Sequence, residues 1–460
     1  MRAVRNTYLS STVLATLVIA AAFAAACPPA RASAATAQIR RLPAQAPQSA
    51  ARFRSGTTKI QHVIFVIQEN RSFNYLFMGF PGATTQNYGY DQSGKKIPLH
   101  AQTLAGIWDI DHSSTAFLTA YDDGKLDGWN SEQTCCTSAP KNFAYAYAPR
   151  HEVLPYWEMA KSYVLADNMF QSNLDGSYVA HQYAIAAYAS HTVNYTTGPW
   201  GCSGGPSDTV ETLKADRTIG PTRSPCLNNK TIADMADKAG VPWRFYAGVL
   251  TGDGGVWSSY QAIKHIYTGP DWTNDVISPP AQFLTDIGNG SLAAITWITP
   301  LNEDSDHAGL GFASTNGPKW VSSVVDAVGQ SQFWNTSAIF VIWDDWGGWY
   351  DPVEPVYEDY DGLGFRIPML VISPYAKKGY VTHIQYETSS VLRLIEDNFG
   401  FGQLAPSDTR AADPVSDVFD FSGKPRKFRA FAGSQPAQFW RMSAAAAKGP
   451  VGSSPPGFGD

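Results

Sequence analysis

Short runs of apolar residues, rich in β-branched side chains, recur along the chain. The first covers residues 60–67, and three more cover residues 293–298, 338–343 and 367–372. Nearly continuous apolar runs of this length are typical of strands that are buried on both faces of a sheet. We therefore expect a strand at each of these positions.

Segments with helical periodicity lie between these runs, at residues 231–239, 320–328 and 387–399. In the last of them, apolar residues such as Val391 and Ile395 recur at the spacing of one helical turn. Strands that alternate with helices predict an α/β fold in which helices sandwich a mostly parallel central sheet.

The N-terminal segment has the order of regions that is typical of a secretory signal peptide. Basic residues near Met1 precede an apolar stretch over residues 13–26, and small residues follow. The sequence therefore predicts a signal peptide over residues 1–34 and a secreted or periplasmic protein. A retained membrane anchor is the alternative, because Cys27 ends the apolar stretch. No later segment approaches the roughly 18 uninterrupted apolar residues of a membrane span, so we expect no stable membrane insertion.

The composition of the rest of the chain indicates a lead-in, a folded domain and a tail. Residues 35–58 are rich in Ala, Pro, Gln, Arg and Ser and predict a flexible lead-in. We expect a single folded domain over residues 59–442 and a flexible tail over residues 443–460. A Gly-, Pro- and Ser-rich stretch near residues 201–229 reads as a loop insertion, and such insertions commonly border a ligand site.

Cysteine usage constrains that insertion. Of the five cysteines, four remain once Cys27 is set aside, and an even count in an exported chain predicts two disulfides. Either Cys202 bonds to Cys226 and Cys135 to Cys136, or two bonds join the two pairs. A zinc site is the alternative, although adjacent cysteines lack the usual two-residue spacer.

The charge balance excludes one class of partner. The formal net charge is −6, and no Asp or Glu precedes Glu69. Proteins that coat nucleic acids are normally basic, so we expect no nucleic-acid partner. Nothing in the sequence fixes the oligomeric state.

Two polar motifs directly follow predicted strands, where α/β sheets bind ligands. Glu69 and Asn70 open the first motif, and a carboxylate beside an amide offers two oxygen ligands to a hard cation. Asp344 and Asp345 open the second, and two adjacent carboxylates repel each other unless a cation is near. The alternatives are a helix-capping acid in the first motif and a solvated turn in the second.

A third motif places Ser177 at the start of a helical pattern, four residues before His181. A serine at this place is ordinarily an N-cap. The same geometry serves a nucleophile, because the N–H groups of a helix N-terminus attract an incoming phosphate. His181 lies one turn further along, on the same face of the helix.

Two further histidines, His112 and His307, stand in polar, turn-rich surroundings near acidic residues. A lone histidine in such a place is more often a surface or capping residue than a catalytic one. Only a pattern that joins all five segments changes this interpretation.

The order of the motifs supplies such a pattern. The chain has Glu-Asn-Arg-Ser-Phe after the first strand, Asp-x-x-His ending at His112 near a Gly-Lys-x-Asp-Gly segment, Gly-Ser-x-x-x-His ending at His181, an acidic segment ending at His307, and Asp-Asp-x-Gly-Gly from Asp344. Together these resemble the phosphoesterase family that contains bacterial phospholipases C and an acid phosphatase. The resemblance runs from Lys59 to Gly402, and it implies a fold like that of alkaline phosphatase.

The resemblance also implies a divalent metal cation, of unknown identity, and a role for each motif residue. Ser177 is implied to be the nucleophile, and His181 is implied to face the phosphate. His112 and His307 fall on the substrate side, where either can protonate the leaving alcohol. The implied metal ligands are Glu69, Asn70, Ser177, Asp344 and Asp345.

The sequence departs from the family pattern around the implied site. Asn74 stands where Asp is usual, Asp345 where Glu is common, Trp346 and Pro352 where His is common, and Ala308 where Pro follows the histidine. These changes leave the implied ligand set complete, but they alter the polar residues that border the implied site. The choice of substrate is therefore open.

These features predict a secreted, metal-dependent phosphoesterase that cleaves phosphate esters in the manner of phospholipase C, through a phosphoseryl intermediate. A phospholipid is one candidate substrate, because Trp343, Trp346, Trp349 and Tyr350 either pack in the core or seat an apolar or quaternary-ammonium group. An acid phosphatase acting on soluble monoesters is the first alternative. A non-catalytic protein that binds lipids or glycans on the same fold is the alternative of another class.

Overall fold

An eight-stranded sheet forms the centre of the protein. The computed structural model describes residues 59–134, 139–195, 201–248, 257–309, 313–436 and 439–440. Within them the strands are β1 (His62–Gln68), β2 (Tyr88–Tyr90), β3 (Lys96–Pro98), β4 (His100–Ala101), β5 (Ala146–Tyr147), β6 (Val164–Ala166), β7 (Met169–Phe170), β8 (Thr192–Val193), β9 (Glu211–Thr212), β10 (Trp243–Tyr246), β11 (Val276–Ile277), β12 (Ile295–Ile298), β13 (Ser337–Trp343), β14 (Met369–Ile372), β15 (Tyr380–Thr382) and β16 (Tyr386–Glu387).

The central sheet is mixed but mostly parallel. Its strand order is β11-β10-β12-β1-β13-β14-β6-β15, and β14 is antiparallel to both of its neighbours. The other neighbouring pairs are parallel. β1 and β13 have a strand on each side and are buried along almost their whole length, which explains their nearly continuous apolar sequences. The prediction of an α/β fold with a mostly parallel sheet is confirmed.

All four predicted strands are present, as β1, β12, β13 and β14, with bounds shifted by at most two residues. Four further strands of the sheet were not predicted: β6, β10, β11 and β15. They contain only two to four residues each, so no run of apolar residues marks them.

The three predicted helices are also present, as α5 (Ile232–Ala239), α9 (Gly317–Gly329) and α10 (Thr388–Phe399). Thr231 begins α5 through a capping box with Asp234, and Gly240 ends it in the left-handed conformation. The helices of the described residues are α1 (Phe73–Phe77), α2 (Ser114–Tyr121), α3 (Leu154–Ser162), α4 (Ser177–Ala186), α5 (Ile232–Ala239), α6 (Lys264–Tyr267), α7 (Pro270–Asn274), α8 (Gln282–Gly288), α9 (Gly317–Gly329), α10 (Thr388–Phe399), α11 (Pro406–Arg410) and α12 (Val415–Val418).

A disulfide between Cys202 and Cys226 closes the insertion over residues 201–229. The alternative of two bonds between the cysteine pairs is therefore wrong, while Cys135 and Cys136 lie outside the described residues. The expected signal peptide, lead-in and C-terminal tail also lie outside them. Among the residues that are described, no helix is long and apolar enough to cross a membrane.

The sheet brings the motifs to one edge. β1 and β13 run parallel, and Gln68 pairs with Trp343 at their carboxyl ends. Glu69 directly follows β1, and Asp344 directly follows β13. β12 is the other neighbour of β1, so the segment that leads to His307 leaves the same edge. This edge is where open α/β sheets bind ligands.

Candidate active site

Asn70 follows β1 in a backbone conformation that few side chains adopt. Its φ is 55°, and its N–H donates to Asp344 Oδ1 at 2.9 Å. Its carbonyl accepts a hydrogen bond from Arg71 Nη1 at 3.2 Å. Gly347, with φ of 60°, packs against the same carbonyl, and a Cβ there would lie 2.1 Å from the oxygen. These contacts fix the direction of the Asn70 side chain.

Asp344 and Asp345 follow β13 and are only 2% and 0% exposed. Asp345 Oδ1 accepts a hydrogen bond from the Gly347 N–H at 2.6 Å. Burial, and then the charge of Asp344, raises the pKa of Asp345 well above its usual range. His112 and His181 lie 3.8 and 3.7 Å from these carboxylates, and no Lys or Arg of the described residues pairs with either. The interpretation as a solvated turn is therefore wrong.

Ser177 is the first residue of α4 rather than its N-cap. Gly176 occupies the N-cap position, and no side chain caps the helix. The Ser177 hydroxyl instead donates to Asp345 Oδ2 at 3.3 Å and lies 3.4 Å from Oδ1 of Asn70. The N-cap interpretation is wrong, and the hydroxyl faces the acidic residues at a helix N-terminus, where N–H groups favour an anion.

His181 lies one turn along α4 and also contacts the acidic residues. Its Nε2 lies 3.2 Å from Glu69 Oε1 and 3.7 Å from Asp344 Oδ2. Ligand atoms of Glu69, His181 and Asp344 all lie within 4.8 Å of one another, so these three residues could hold a metal ion. The other ring nitrogen of His181 lies 3.4 Å from Ser259 Oγ. His181 was not expected among the metal ligands, and no sequence motif indicates Ser259 as a residue of the site.

His112 and His307 converge on Asn70. Nε2 of each ring lies 3.0 Å from the same amide atom of the Asn70 side chain. Nδ1 of His112 contacts the carbonyl of Ile110 at 2.6 Å, and Nδ1 of His307 contacts the carbonyl of Ala308. A carbonyl partner requires a proton on Nδ1, which leaves Nε2 to face Asn70. Both histidines are fully buried, so the interpretation as surface residues is wrong.

The Asn70 amide tests whether this group of residues fits a cation. One terminal atom of the amide faces the two histidines, and the other lies 3.1 Å from Asp344 Oδ1 and 3.3 Å from Glu69 Oε2. Without a cation, the amide nitrogen faces the carboxylates and donates to them. In the opposite orientation the amide oxygen faces the carboxylates, and among the described residues only the Ser177 hydroxyl, at 3.4 Å, lies near it as a donor. A divalent cation bound by these carboxylates would give that oxygen a charged partner, so the donor set fits such a cation.

The aromatic residues near the second motif belong to the core. Trp343, Trp346 and Trp349 have zero exposure, and Tyr350 is 3% exposed. Trp343 donates through Nε1 to Asp306 at 3.0 Å. The interpretation that these four side chains seat an apolar or quaternary-ammonium group is therefore wrong.

Asn74, where the family pattern usually has Asp, binds protein backbone. Its Oδ1 accepts from the Gln86 N–H at 2.9 Å, and its Nδ2 donates to the Gln86 carbonyl at 3.0 Å. Its own N–H donates to Asp351 Oδ2 at 3.0 Å. This departure from the pattern thus affects packing beside α1 and leaves the acidic group of Glu69, Asp344 and Asp345 unaltered.

The residues of the site lie within a segment that matches a known family. The model of the Phosphoesterase family matches residues 60–402. The chain belongs to the phosphoesterase family. The match extends from β1 to beyond α10 and includes all the residues described above. The protein is therefore a hydrolase that acts on phosphoric ester bonds.

Several relatives of this phosphoesterase are named as phospholipases C. Phospholipase C B of Mycobacterium tuberculosis is 24% identical over 433 residues, which cover 80% of this chain and 79% of the relative. Hemolytic phospholipase C of Pseudomonas aeruginosa is 23% identical over 439 residues, which cover 80% of this chain and 57% of that protein. Among solved structures, an alkaline phosphatase superfamily protein from Vibrio parahaemolyticus is similar at a TM-score of 0.35 and 11% identity, over 80% of this chain and 72% of that one.

Proposed function

We propose that the chain is a secreted, metal-dependent phosphoesterase that hydrolyses phosphodiesters in the manner of phospholipase C, with Ser177 as the nucleophile. The observation that carries the proposal is the position of the Ser177 hydroxyl, 3.3 Å from Asp345 and at the N-terminus of α4. A phosphate at this place meets the N–H groups of the helix and the positive end of its dipole. Secretion rests on the basic, apolar and small-residue regions of residues 1–34.

The proposed ligands of the divalent cation are Glu69, Asn70, Ser177, Asp344 and Asp345. His181 was expected to face the phosphate, but its contact with Glu69 at 3.2 Å favours a place beside the cation. When bound, the cation supplies positive charge next to the serine oxygen and the phosphoryl group. The ends of β1 and β13 and the start of α4 hold the ligands in place before a substrate arrives.

Hydrolysis then proceeds in two displacements at phosphorus. Ser177 Oγ passes its proton to Asp345 Oδ2 and attacks the phosphorus, the bond to the leaving oxygen breaks, and a phosphoseryl intermediate forms. A water molecule then gives a proton to the histidine that protonated the leaving alcohol and attacks the same phosphorus, and Ser177 Oγ leaves with the proton that Asp345 held. His112 and His307 place their Nε2 atoms on the same side of Asn70. Because backbone carbonyls hold a proton on Nδ1 of both rings, the ring that acts as the acid carries a second proton on Nε2 and gives that proton to the leaving alcohol. A well-placed acid contributes about a hundredfold or more to the rate.

The alternatives differ in what surrounds the phosphate. An acid phosphatase that acts on soluble monoesters needs the same nucleophile and cation. The names of the relatives, phospholipases C in Mycobacterium tuberculosis, Pseudomonas aeruginosa and Arabidopsis thaliana, favour a diester. A non-catalytic binding protein has no need of a serine hydroxyl that faces buried carboxylates at a helix N-terminus.

Parallel assays on two p-nitrophenyl substrates test the proposal. The purified, metal-loaded protein is given p-nitrophenyl phosphocholine, a diester, and p-nitrophenyl phosphate, a monoester. We expect kcat/KM for the diester to exceed that for the monoester by at least about tenfold. Faster hydrolysis of the monoester would assign an acid phosphatase. Hydrolysis of neither substrate would favour the binding protein.

A further inference from the structure

Asp175 is a buried carboxylate that lies two residues before Ser177 and takes no part in the chemistry above. The residue is only 2% exposed. Its Oδ1 accepts a hydrogen bond from the Ser114 N–H at 2.8 Å, and its Oδ2 accepts one from the Asn194 N–H at 2.7 Å. Its own N–H donates to Asn173 Oδ1 at 2.8 Å. Both the side chain and the backbone of Asp175 are therefore held in place.

The two N–H donors belong to separate segments of the chain. Ser114 is the first residue of α2 and comes two residues after His112. Asn194 directly follows β8, has a φ of 54°, and accepts a hydrogen bond from Ser114 Oγ at 2.6 Å. One carboxylate thus joins the segment of the nucleophile, the segment of His112 and the residue after β8.

The side chains that extend from two of these segments meet at one atom. Ser177 Oγ donates to Asp345 Oδ2 at 3.3 Å, and His112 Nε2 lies 3.8 Å from the same oxygen. A shift of the start of α2 relative to the start of α4 therefore moves His112 relative to Ser177. A misplacement of about 1 Å can cost about a hundredfold in rate.

We propose that Asp175 is a positioning residue that fixes His112 relative to Ser177 by accepting the N–H groups of Ser114 and Asn194. The inference rests on the proposed function, because it requires His112 to act in turnover. A merely structural carboxylate would affect stability, and its effect on the rate would not depend on whether His112 is present. The two roles therefore differ in the coupling between Asp175 and His112.

A double-mutant cycle between Asp175→Asn and His112→Ala measures this coupling. Asn has the size of Asp, but an NH2 group replaces one carboxylate oxygen. One of the two backbone N–H groups that donate to Asp175 therefore loses its acceptor. We expect Asp175→Asn to lower kcat on a short-chain phosphatidylcholine, whose alkoxide leaving group needs a proton, by about tenfold to a hundredfold, with KM and metal content unchanged. In the His112→Ala background, the same substitution should lower kcat by no more than about twofold.

Asp408→Asn is the matched control. Asp408 is also a fully buried carboxylate that accepts two backbone hydrogen bonds, from Leu404 at 2.7 Å and from Ala405 at 2.9 Å, at the start of α11. Its substitution should lower the thermal midpoint and leave kcat unchanged, both in the wild type and in His112→Ala. The control thus shows what the loss of a buried acceptor does away from the active site.

Ser114 offers a second test that leaves Asp175 unaltered. Proline is well tolerated as the first residue of a helix, and the preceding Ser113 already has an extended conformation, with φ of −62° and ψ of 170°. Ser114→Pro removes the N–H, which donates to Asp175 Oδ1 at 2.8 Å and also to Asn194 Oδ1 at 3.1 Å, whereas Ser114→Ala keeps this N–H and removes only the hydroxyl. We expect kcat to fall at least about tenfold further in Ser114→Pro than in Ser114→Ala. This difference should disappear in the His112→Ala background.

The outcomes separate this inference from the proposed function. Multiplicative losses in the cycle, or wild-type kcat in Asp175→Asn, would overturn the inference and leave the proposed function intact. Wild-type kcat in His112→Ala would overturn the role of His112 together with the inference. No turnover of either ester by the wild type would refute the proposed function itself, and the inference with it.

Discussion

Asp351 and the adjacent pair Asp344 and Asp345 are buried carboxylates that lie close together in the sequence but differ in what offsets their charge. Asp351 is fully buried and accepts hydrogen bonds from Arg366 at 2.9 and 3.1 Å, and one from the Asn74 N–H at 3.0 Å. Asp344 and Asp345 are just as buried, yet no Lys or Arg in the described part of the chain pairs with either.

The difference separates a structural group from a reactive one. A buried carboxylate is costly unless a partner offsets its charge, and Asp351 has that partner within the chain. Asp344 and Asp345 have only histidines and neutral donors beside them among the described residues, so a bound divalent cation would offset their charge. The group without a cationic partner is also the one that faces the Ser177 hydroxyl at a helix N-terminus. Incomplete compensation thus marks the site of chemistry.

The largest expected effect comes from Ser177. Ser177→Ala removes the nucleophile and should lower kcat by at least about four orders of magnitude, with the thermal midpoint and metal content nearly unchanged. Ser322→Ala is the control, because this buried hydroxyl only donates to the Pro318 carbonyl within α9. The control should keep wild-type turnover. Wild-type turnover in Ser177→Ala would remove this serine from the mechanism.

Substitution in the ion pair of Asp351 and Arg366 should change the stability of the protein rather than its turnover. Arg366→Met leaves Asp351 buried without its cation and should lower the free energy of unfolding by about 3–5 kcal/mol. Arg393→Met breaks a partly exposed pair with Asp397 and should cost less than about 1 kcal/mol. Denaturant unfolding measures both values. Equally small losses would show that Asp351 does not need its partner.

Substitution of Asp344 or Asp345 should weaken cation binding without lowering the stability of the metal-free protein. Asp344→Asn and Asp345→Asn each replace a charged oxygen ligand with a neutral one, so the affinity for a divalent cation should fall at least about tenfold. The metal-free variants should unfold no more readily than the metal-free wild type, because one of two repelling charges is gone. Calorimetric titration measures the affinity, with Asp397→Asn as the control. Unchanged affinity in both variants would place the cation elsewhere.

Glu396 shows a third way to meet the cost of burial, which is protonation. Burial, followed by the neighbouring carboxylate of Asp408, raises the pKa of this fully buried side chain to about 10. The folded protein keeps a proton that the unfolded chain releases above its ordinary pKa of 4.5, so this group lowers stability as pH rises from there towards 10.

Glu396→Gln should remove this pH-dependent loss. Between about pH 6 and about pH 8, the free energy of unfolding of the variant should rise relative to that of the wild type, by up to about 1.4 kcal/mol per pH unit. Asp397→Asn, which changes the exposed neighbour on α10, should show no such trend. A difference between Glu396→Gln and the wild type that stays constant with pH would contradict the assignment.

The sheet was predictable where its strands carry long apolar runs. β1 and β13 each have seven residues and are buried by strands on both sides, so their sequences are distinctive. The reversed direction of β14 was not predictable from its own residues. The connection from β13 to β14 contains no helix, and a parallel neighbour would have required such a crossover.

The residues of the site were easier to predict from the sequence than their contacts. The adjacent carboxylates and the serine at a helix start also allowed a solvated turn and an N-cap, and the expectation of a cation and a nucleophile came from the order of all the motifs and the family that it resembles. The pairing of Arg366 with Asp351, and of His181 with Glu69, joins residues that only the fold brings together. No local sequence pattern indicates which buried charged side chain will pair with which partner.

The central claim is that the acidic pair and its neighbours bind one divalent cation on which turnover by Ser177 depends. The most direct test is to titrate the metal-free protein with a divalent cation and to follow thermal unfolding and hydrolysis of p-nitrophenyl phosphocholine in the same samples. Stability and turnover should rise together with one apparent Kd, and the stabilisation should reach about 2.7 kcal/mol at a hundredfold excess over Kd. Ser177→Ala should keep the stabilisation and lose the turnover. Full turnover by the metal-free protein, or no stabilisation at any cation concentration, would contradict the claim.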